Sequence, residues 1–119
     1  MVNTKFHSIL KKIQKFRDDR DWAQFHNAKD MAAGIAIEAA ELQELFLWKN
    51  RQEVEVYIKD KKNVEKISYE LADIFSYAFE LAENLGIDIE KSIEKKMRKN
   101  ALHYPVQKAK GKHTKHTKL

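Results

Sequence analysis

Residues 32–48, AAGIAIEAAELQELFLW, and residues 67–79, ISYELADIFSYAF, decide how this chain folds. Both are apolar over most of their length, and neither contains proline. Each is interrupted by a pair of carboxylates three residues apart, Glu38 with Glu41 (Glu44 following) and Glu70 with Asp73. On a helix that spacing puts both members of a pair on one face, with side-chain roots about 5–6 Å apart. Each stretch therefore reads as a long helix whose carboxylates sit in, or beside, core-facing surface.

Working outward, Asn27 is the expected N-cap of the first of these helices, with Asp30 in its first turn, and the helix is expected over about 28–48. The second fits about 64–85, with Gly86 where a glycine terminates a helix. Upstream, Phe6, Ile9, Leu10, Ile13 and Phe16 recur at helical spacing and predict a helix over about 3–20. The stretch Asp21–His26 breaks that pattern and reads as a loop. Charged residues crowd positions 49–63, where Val54, Tyr57 and Ile58 allow a short helix. Asp88 caps a last helix over about 89–102, and Pro105 follows its end. The fold class is all-α, a four-helix-type bundle in one domain over 1–106, with 107–119 expected to be a mobile basic tail.

Composition agrees with this reading. Three glycines and one proline among 119 residues are too few for a turn-rich all-β fold. Absence of cysteine excludes disulfides, thiolate metal sites and cysteine nucleophiles. The opening MVNTKFHSILKKIQKF lacks the apolar core of a signal peptide, and no stretch is long enough to span a membrane, so a cytoplasmic protein is expected. From Lys95 onward there are nine basic residues and no acidic ones; the preceding part carries 14 basic against 18 acidic, a net of −4. The positive charge belongs to the C-terminal segment, and a mildly acidic body argues against a general nucleic-acid binder.

Four carboxylates near a core repel one another and lose hydration, at several kcal/mol for each uncompensated ion. A divalent cation removes that problem. Mg²⁺ takes hard oxygen ligands and keeps positions open for substrate phosphates. Neither pair is followed by histidine at Glu-x-x-His spacing, which disfavours a redox di-iron centre. Trp48 lies seven residues beyond Glu41 and Tyr77 four beyond Asp73, so each carboxylate pair has an aromatic neighbour expected on its own stripe. Glu44 continues the first stripe and is a further candidate ligand.

Glu38-x-x-Glu41, 28 residues, then Glu70-x-x-Asp73 resembles the signature of the all-α nucleoside triphosphate pyrophosphatases, the MazG-like superfamily. RDWAQFH (Arg20–His26), ELQELFLWK (Glu41–Lys49), YELADIFSYAF (Tyr69–Phe79) and KMRKNALHYPV (Lys96–Val106) are similar, in the same order, to segments of its dCTP pyrophosphatases. The resemblance implies Mg²⁺ held by Glu38, Glu41, Glu70 and Asp73. It also implies a nucleotide-contacting loop with Trp22 and His26, and pocket residues Trp48 and Tyr77. Lys96 and Asn100 would lie near the triphosphate. At His103, where the family commonly carries arginine, a neutral imidazole cannot replace a guanidinium.

The implied reaction is Mg²⁺-dependent attack of water on the α-phosphorus of a nucleoside triphosphate, dCTP or modified dCTP, releasing pyrophosphate for nucleotide-pool control. Glu41, with Glu38 beside it, would orient or deprotonate the water, and Lys96 would stabilise the leaving group. Relatives imply a homo-oligomer, a dimer or a dimer of dimers, with a neighbouring subunit closing the pocket. The competing reading is a helical module that binds nucleic acid through its basic tail. It gives no account of the paired carboxylates.

Overall fold

The computed structural model describes residues 4–119, and no strand occurs among the described residues. The elements are α1 (Thr4–Asp19), a 3₁₀ turn at Ala23–Phe25, α2 (Ala28–Glu44), α3 (Arg51–Tyr57) and α4 (Lys61–Asn84), followed by α5 (Ile89–His103), α6 (Val106–Ala109) and a 3₁₀ turn at His116–Lys118. The chain divides into two compact units, one ending at Gly86 and one beginning at Ile87.

In the first unit α2 packs along α4, and α1 packs on α4 as well. The core is small. Among the described residues, the buried apolar side chains are Leu10 of α1, Met31 of α2 and Ala82 of α4. Phe6 meets Phe79 edge-on at 4.7 Å, tying the start of α1 to the C-terminal half of α4. Large apolar side chains on both long helices remain exposed, Ile37 at 58% and Phe75 at 52% among them.

Capping explains most of the boundaries. Asn27 Oδ1 accepts from the Asp30 backbone N–H at 2.9 Å and starts α2 where the sequence predicts. Asn50 and Glu53 form a reciprocal capping box, so the short third helix does exist. α4 starts earlier than expected because Asp60 caps the Lys62 N–H at 2.9 Å, extending the helix through Lys61, Lys62 and Asn63. It stops at Gly86, whose φ of 65° is the left-handed value that favours glycine. Asp88 caps α5 as expected. The first helix fits its expected span; the expected start at Asn3 lies outside the described residues.

One boundary is corrected. α2 ends at Glu44 rather than Trp48, and residues 45–48 form turns. Trp48 itself is left-handed at φ 65°, which no continuing helix permits. Trp48 is therefore not two turns along the Glu38–Glu41 stripe. It stands at the turn into α3, 90% exposed.

In the second unit, α5 carries Lys96 and Asn100 one turn apart, with Lys96 exposed and Asn100 half-buried. Beyond α6 the chain brings His116 back onto His103, the two rings stacked at 4.2 Å and 9°, with Tyr104 edge-on to His116 at 5.5 Å. Burial, then the charges of His116, Lys99 and Lys96, hold the His103 imidazole below its ordinary pKa. Position 103 thus faces basic neighbours.

Candidate metal centre and adjoining cavity

Packing α2 against α4 brings the two carboxylate pairs to one place. Glu38, Glu41 and Glu70 each offer an oxygen, and those three oxygens lie within 4.8 Å of one another. Glu38 and Glu70 are half-buried and Glu41 is exposed. Each half-buried member has its Oε2 sealed from solvent with no hydrogen-bond partner. Buried polar atoms are ordinarily satisfied, so two orphaned carboxylate oxygens facing one cluster require an explanation. An oxygen-seeking divalent cation supplies one, and the donor set suits it. Asp73 does not join the three; it lies in the wall of the neighbouring cavity beside Glu38.

The electrostatics carry the same signature. Burial, followed by contact with Glu41 and the charges of Glu41, Asp73 and Glu70, pushes the Glu38 carboxyl from 4.5 to about 7. Glu70 is also raised, by burial first and then by Glu41, while its hydrogen bonding with Glu38 pulls the other way. Tyr77 is raised by burial and by the charges of Glu38, Asp73, Glu80 and Glu41. Burial and mutual repulsion together favour the protonated forms of Glu38 and Glu70.

The cluster opens through Glu38 onto a cavity of about 370 Å³ lined by residues of α1, the following turn, α2 and α4. Its walls include Trp22, His26 and Tyr77, three of the expected nucleotide contacts. Trp48, the fourth aromatic candidate, is not in this wall. Asp21, left-handed at φ 54°, turns the chain out of α1. Trp22 then packs edge-on to Phe16 at 5.7 Å, and the Arg20 guanidinium lies 3.7 Å over the Phe16 ring. Phe16, itself in the cavity wall, is thus held between Trp22 and Arg20.

Four residues were not foreseen. Lys12 and Ser76 line the cavity, bringing a cation and a hydroxyl to it. Glu80 is buried, and its Oε1 accepts from Arg17 Nη1 at 3.1 Å and meets His26 Nδ1 at 2.8 Å. Glu80 had a signal. Glu70, Asp73, Tyr77 and Glu80 repeat at three, four and three residues, so the stripe simply continues one turn further. Lys12 and Arg17 had none, because charged residues on α1 are the norm.

Gly34 lets α2 approach Tyr77. A Cβ built there would stand 3.1–3.2 Å from three carbons of the Tyr77 ring. Gly34→Ala is expected to push that ring by a few tenths of an ångström into the cavity, raising KM for a nucleotide about tenfold. Its stability should change little, since better helix propensity offsets the tighter packing. Thermal melts beside steady-state kinetics check both halves.

Comparison with known proteins identifies the family and the fold. Residues 34–119 match the model of the MazG-like family. The chain is 32% identical over 105 residues to dCTP pyrophosphatase 1 of Rattus norvegicus, covering 88% of this chain. It is 30% identical, over the same length, to dCTP pyrophosphatase 1 of Homo sapiens. The chain spans 62% of the length of these relatives. A crystal structure of a pyrophosphatase from Archaeoglobus fulgidus superposes with a TM-score of 0.78 at 32% identity, covering 88% of this chain and 96% of that one.

Proposed function

The chain belongs to the MazG-like family, and from that membership and its carboxylate cluster we infer that it hydrolyses a nucleoside triphosphate to the monophosphate and pyrophosphate with Mg²⁺. One observation carries the reading: three carboxylates with oxygens within 4.8 Å, two of them with orphaned buried oxygens, at the edge of an aromatic cavity. Glu38, Glu41 and Glu70 would hold the ion, with Asp73 completing the site from the cavity wall. When bound, Mg²⁺ supplies positive charge at the phosphate oxygens and makes the attacking water more acidic.

The chain's own groups do the rest. Glu41 is the exposed member of the cluster, which suits it to orient the nucleophile and take its proton. Water adds to the α-phosphorus, the bond to the bridging oxygen breaks, and pyrophosphate leaves. Phe16, Trp22 and Tyr77 present apolar faces on which a base stacks. On the resemblance alone, Lys96 stabilises the leaving charge and Asn100 donates to a phosphate oxygen.

The names of the relatives support dCTP as the substrate. On the resemblance alone, the proposed substrates include 5-modified dCTP, and the proposed role is nucleotide-pool control in the cytoplasm. Residues 1–106 would be the catalytic domain, with 107–119 as a basic appendage. Among the described residues no helix is long and apolar enough to cross a membrane. A homo-oligomer is part of the proposal. Ile37 and Phe75 are exposed apolar side chains on the two helices that form the site, a second copy would cover them, and the exposed Trp48 is then available to a neighbour's cavity.

The test is pyrophosphate release from a panel of canonical and modified nucleoside triphosphates, with Mg²⁺ and with excess EDTA. Metal-dependent release, fastest with dCTP-type substrates, is the expected result. A folded protein that hydrolyses no nucleotide would overturn the reading.

A further inference from the structure

The Arg17–Glu80–His26 network is not needed to hold a metal, yet it ends in the cavity wall. Glu80 is 3% exposed, and a carboxylate that deep must be compensated. Arg17 supplies the countercharge, its Nη1 lying 3.1 Å from Oε1. The same oxygen is 2.8 Å from His26 Nδ1. With Glu80 already neutralised by a permanent cation, the imidazole is not required to carry charge. It has only to donate a hydrogen bond, because an ionised carboxylate can only accept. A singly protonated His26 ring therefore carries its proton on Nδ1.

The rest of the residue is pinned as well. Asn84 Nδ2 donates to the His26 carbonyl at 3.0 Å, and the His26 N–H donates to the Ala23 carbonyl at 3.1 Å. Trp22 and Tyr77 stand beside the ring with centroids at 6.4 and 6.3 Å. Nδ1 is taken by Glu80, so Nε2 is the ring nitrogen left for whatever enters the cavity.

We propose that Arg17 and Glu80 hold His26 as its Nδ1–H tautomer, so that Nε2 meets the substrate as a hydrogen-bond acceptor. It then selects a base with an amino group on its pairing edge over one with a keto oxygen there. The 4-amino group of cytosine donates, whereas the corresponding oxygen of uracil or thymine can only accept. Against a bare acceptor that oxygen leaves both partners unpaired and desolvated. Arg17 and Glu80 are positioning residues that act through His26. The inference rests on the reading that the cavity receives the base, and it assigns the discrimination within that reading.

Two measurements test it. The first is a long-range ¹H–¹⁵N spectrum of the wild-type protein labelled with ¹⁵N-histidine, with His26 assigned by its loss in His26→Asn. A protonated Nδ1 and a bare Nε2 are expected; an Nε2–H or doubly protonated ring would overturn the proposal. The second is kcat/KM for dCTP and dUTP in the wild type and in Arg17→Met/Glu80→Leu. The double variant removes both charges together, so neither is left buried alone.

The preference for dCTP is expected to fall about tenfold in the double variant, mainly through KM, because the freed ring can present N–H to the cavity. An unchanged preference in a folded double variant would sink the idea. Absence of hydrolysis in the wild type would instead remove the functional reading, and the nitrogen spectrum would still decide the tautomer.

Discussion

Glu41→Gln is expected to lower pyrophosphate release about a thousandfold while leaving the metal-free protein at least as stable as the wild type. The two effects have one cause. Glu41 is among the charges that drive Glu38 and Glu70 upward. Removing its charge relieves repulsion in the empty site, whereas in the loaded site it removes a ligand and the group suited to take the proton from water. An amide of the same shape keeps the packing, but it is a neutral, weaker ligand and cannot take the proton. Mg²⁺ titrations of initial rate, paired with thermal melts in EDTA, check both. A loss below tenfold would take Glu41 out of the chemistry, and a large drop in melting temperature would mean that it holds the fold.

The second large effect concerns pH. Glu38 has its folded-state pKa raised from 4.5 to about 7, so between those values the folded state binds more protons than the unfolded one. Stability contributed by this group is lost as pH rises through that window, and the penalty is complete above it. Glu70 is shifted in the same direction. Metal-free protein is therefore expected to melt about 5 °C lower at pH 8 than at pH 5.5. Millimolar Mg²⁺ should erase the difference by favouring the ionised carboxylates, releasing protons as it binds. The lowered pKa of His103 contributes with the opposite sign, but that ring lies near solvent and far less is at stake. The clean readout is thus the slope of wild type against Glu38→Gln, which should be clearly shallower, with Glu70 supplying what remains. Equal slopes would show that the carboxylate is not strained.

Much of this was legible in the sequence because helices announce themselves locally. Asn27, Gly86 and Asp88 are capping residues whose chemistry works within a few positions, and the structure uses each as expected. The carboxylate pairs were legible because charge inside an apolar run is costly enough to demand a purpose. What escaped depends on backbone reversals and on partners distant in sequence. Nothing in ELFLW shows that α2 stops at Glu44 and that Trp48 turns left-handed; hydrophobic periodicity runs straight through. Glu80 finds Arg17 63 residues away, a pairing set by how α1 lies on α4. Lys12 enters the cavity for the same tertiary reason. Lys96 and Asn100 stay on α5 one turn apart, as their spacing required, and their roles rest on the resemblance.

The small core has a consequence for the life of the protein in a cell. With Leu10, Met31 and Ala82 as the buried apolar side chains among the described residues, a lone chain has little to set against its conformational entropy. In the proposed homo-oligomer, association adds to that driving force, and association obeys mass action. The folded fraction then rises with the amount of chain made. Scarce chains are exposed to proteases and abundant ones shelter each other, so a modest change in synthesis becomes a larger change in active protein.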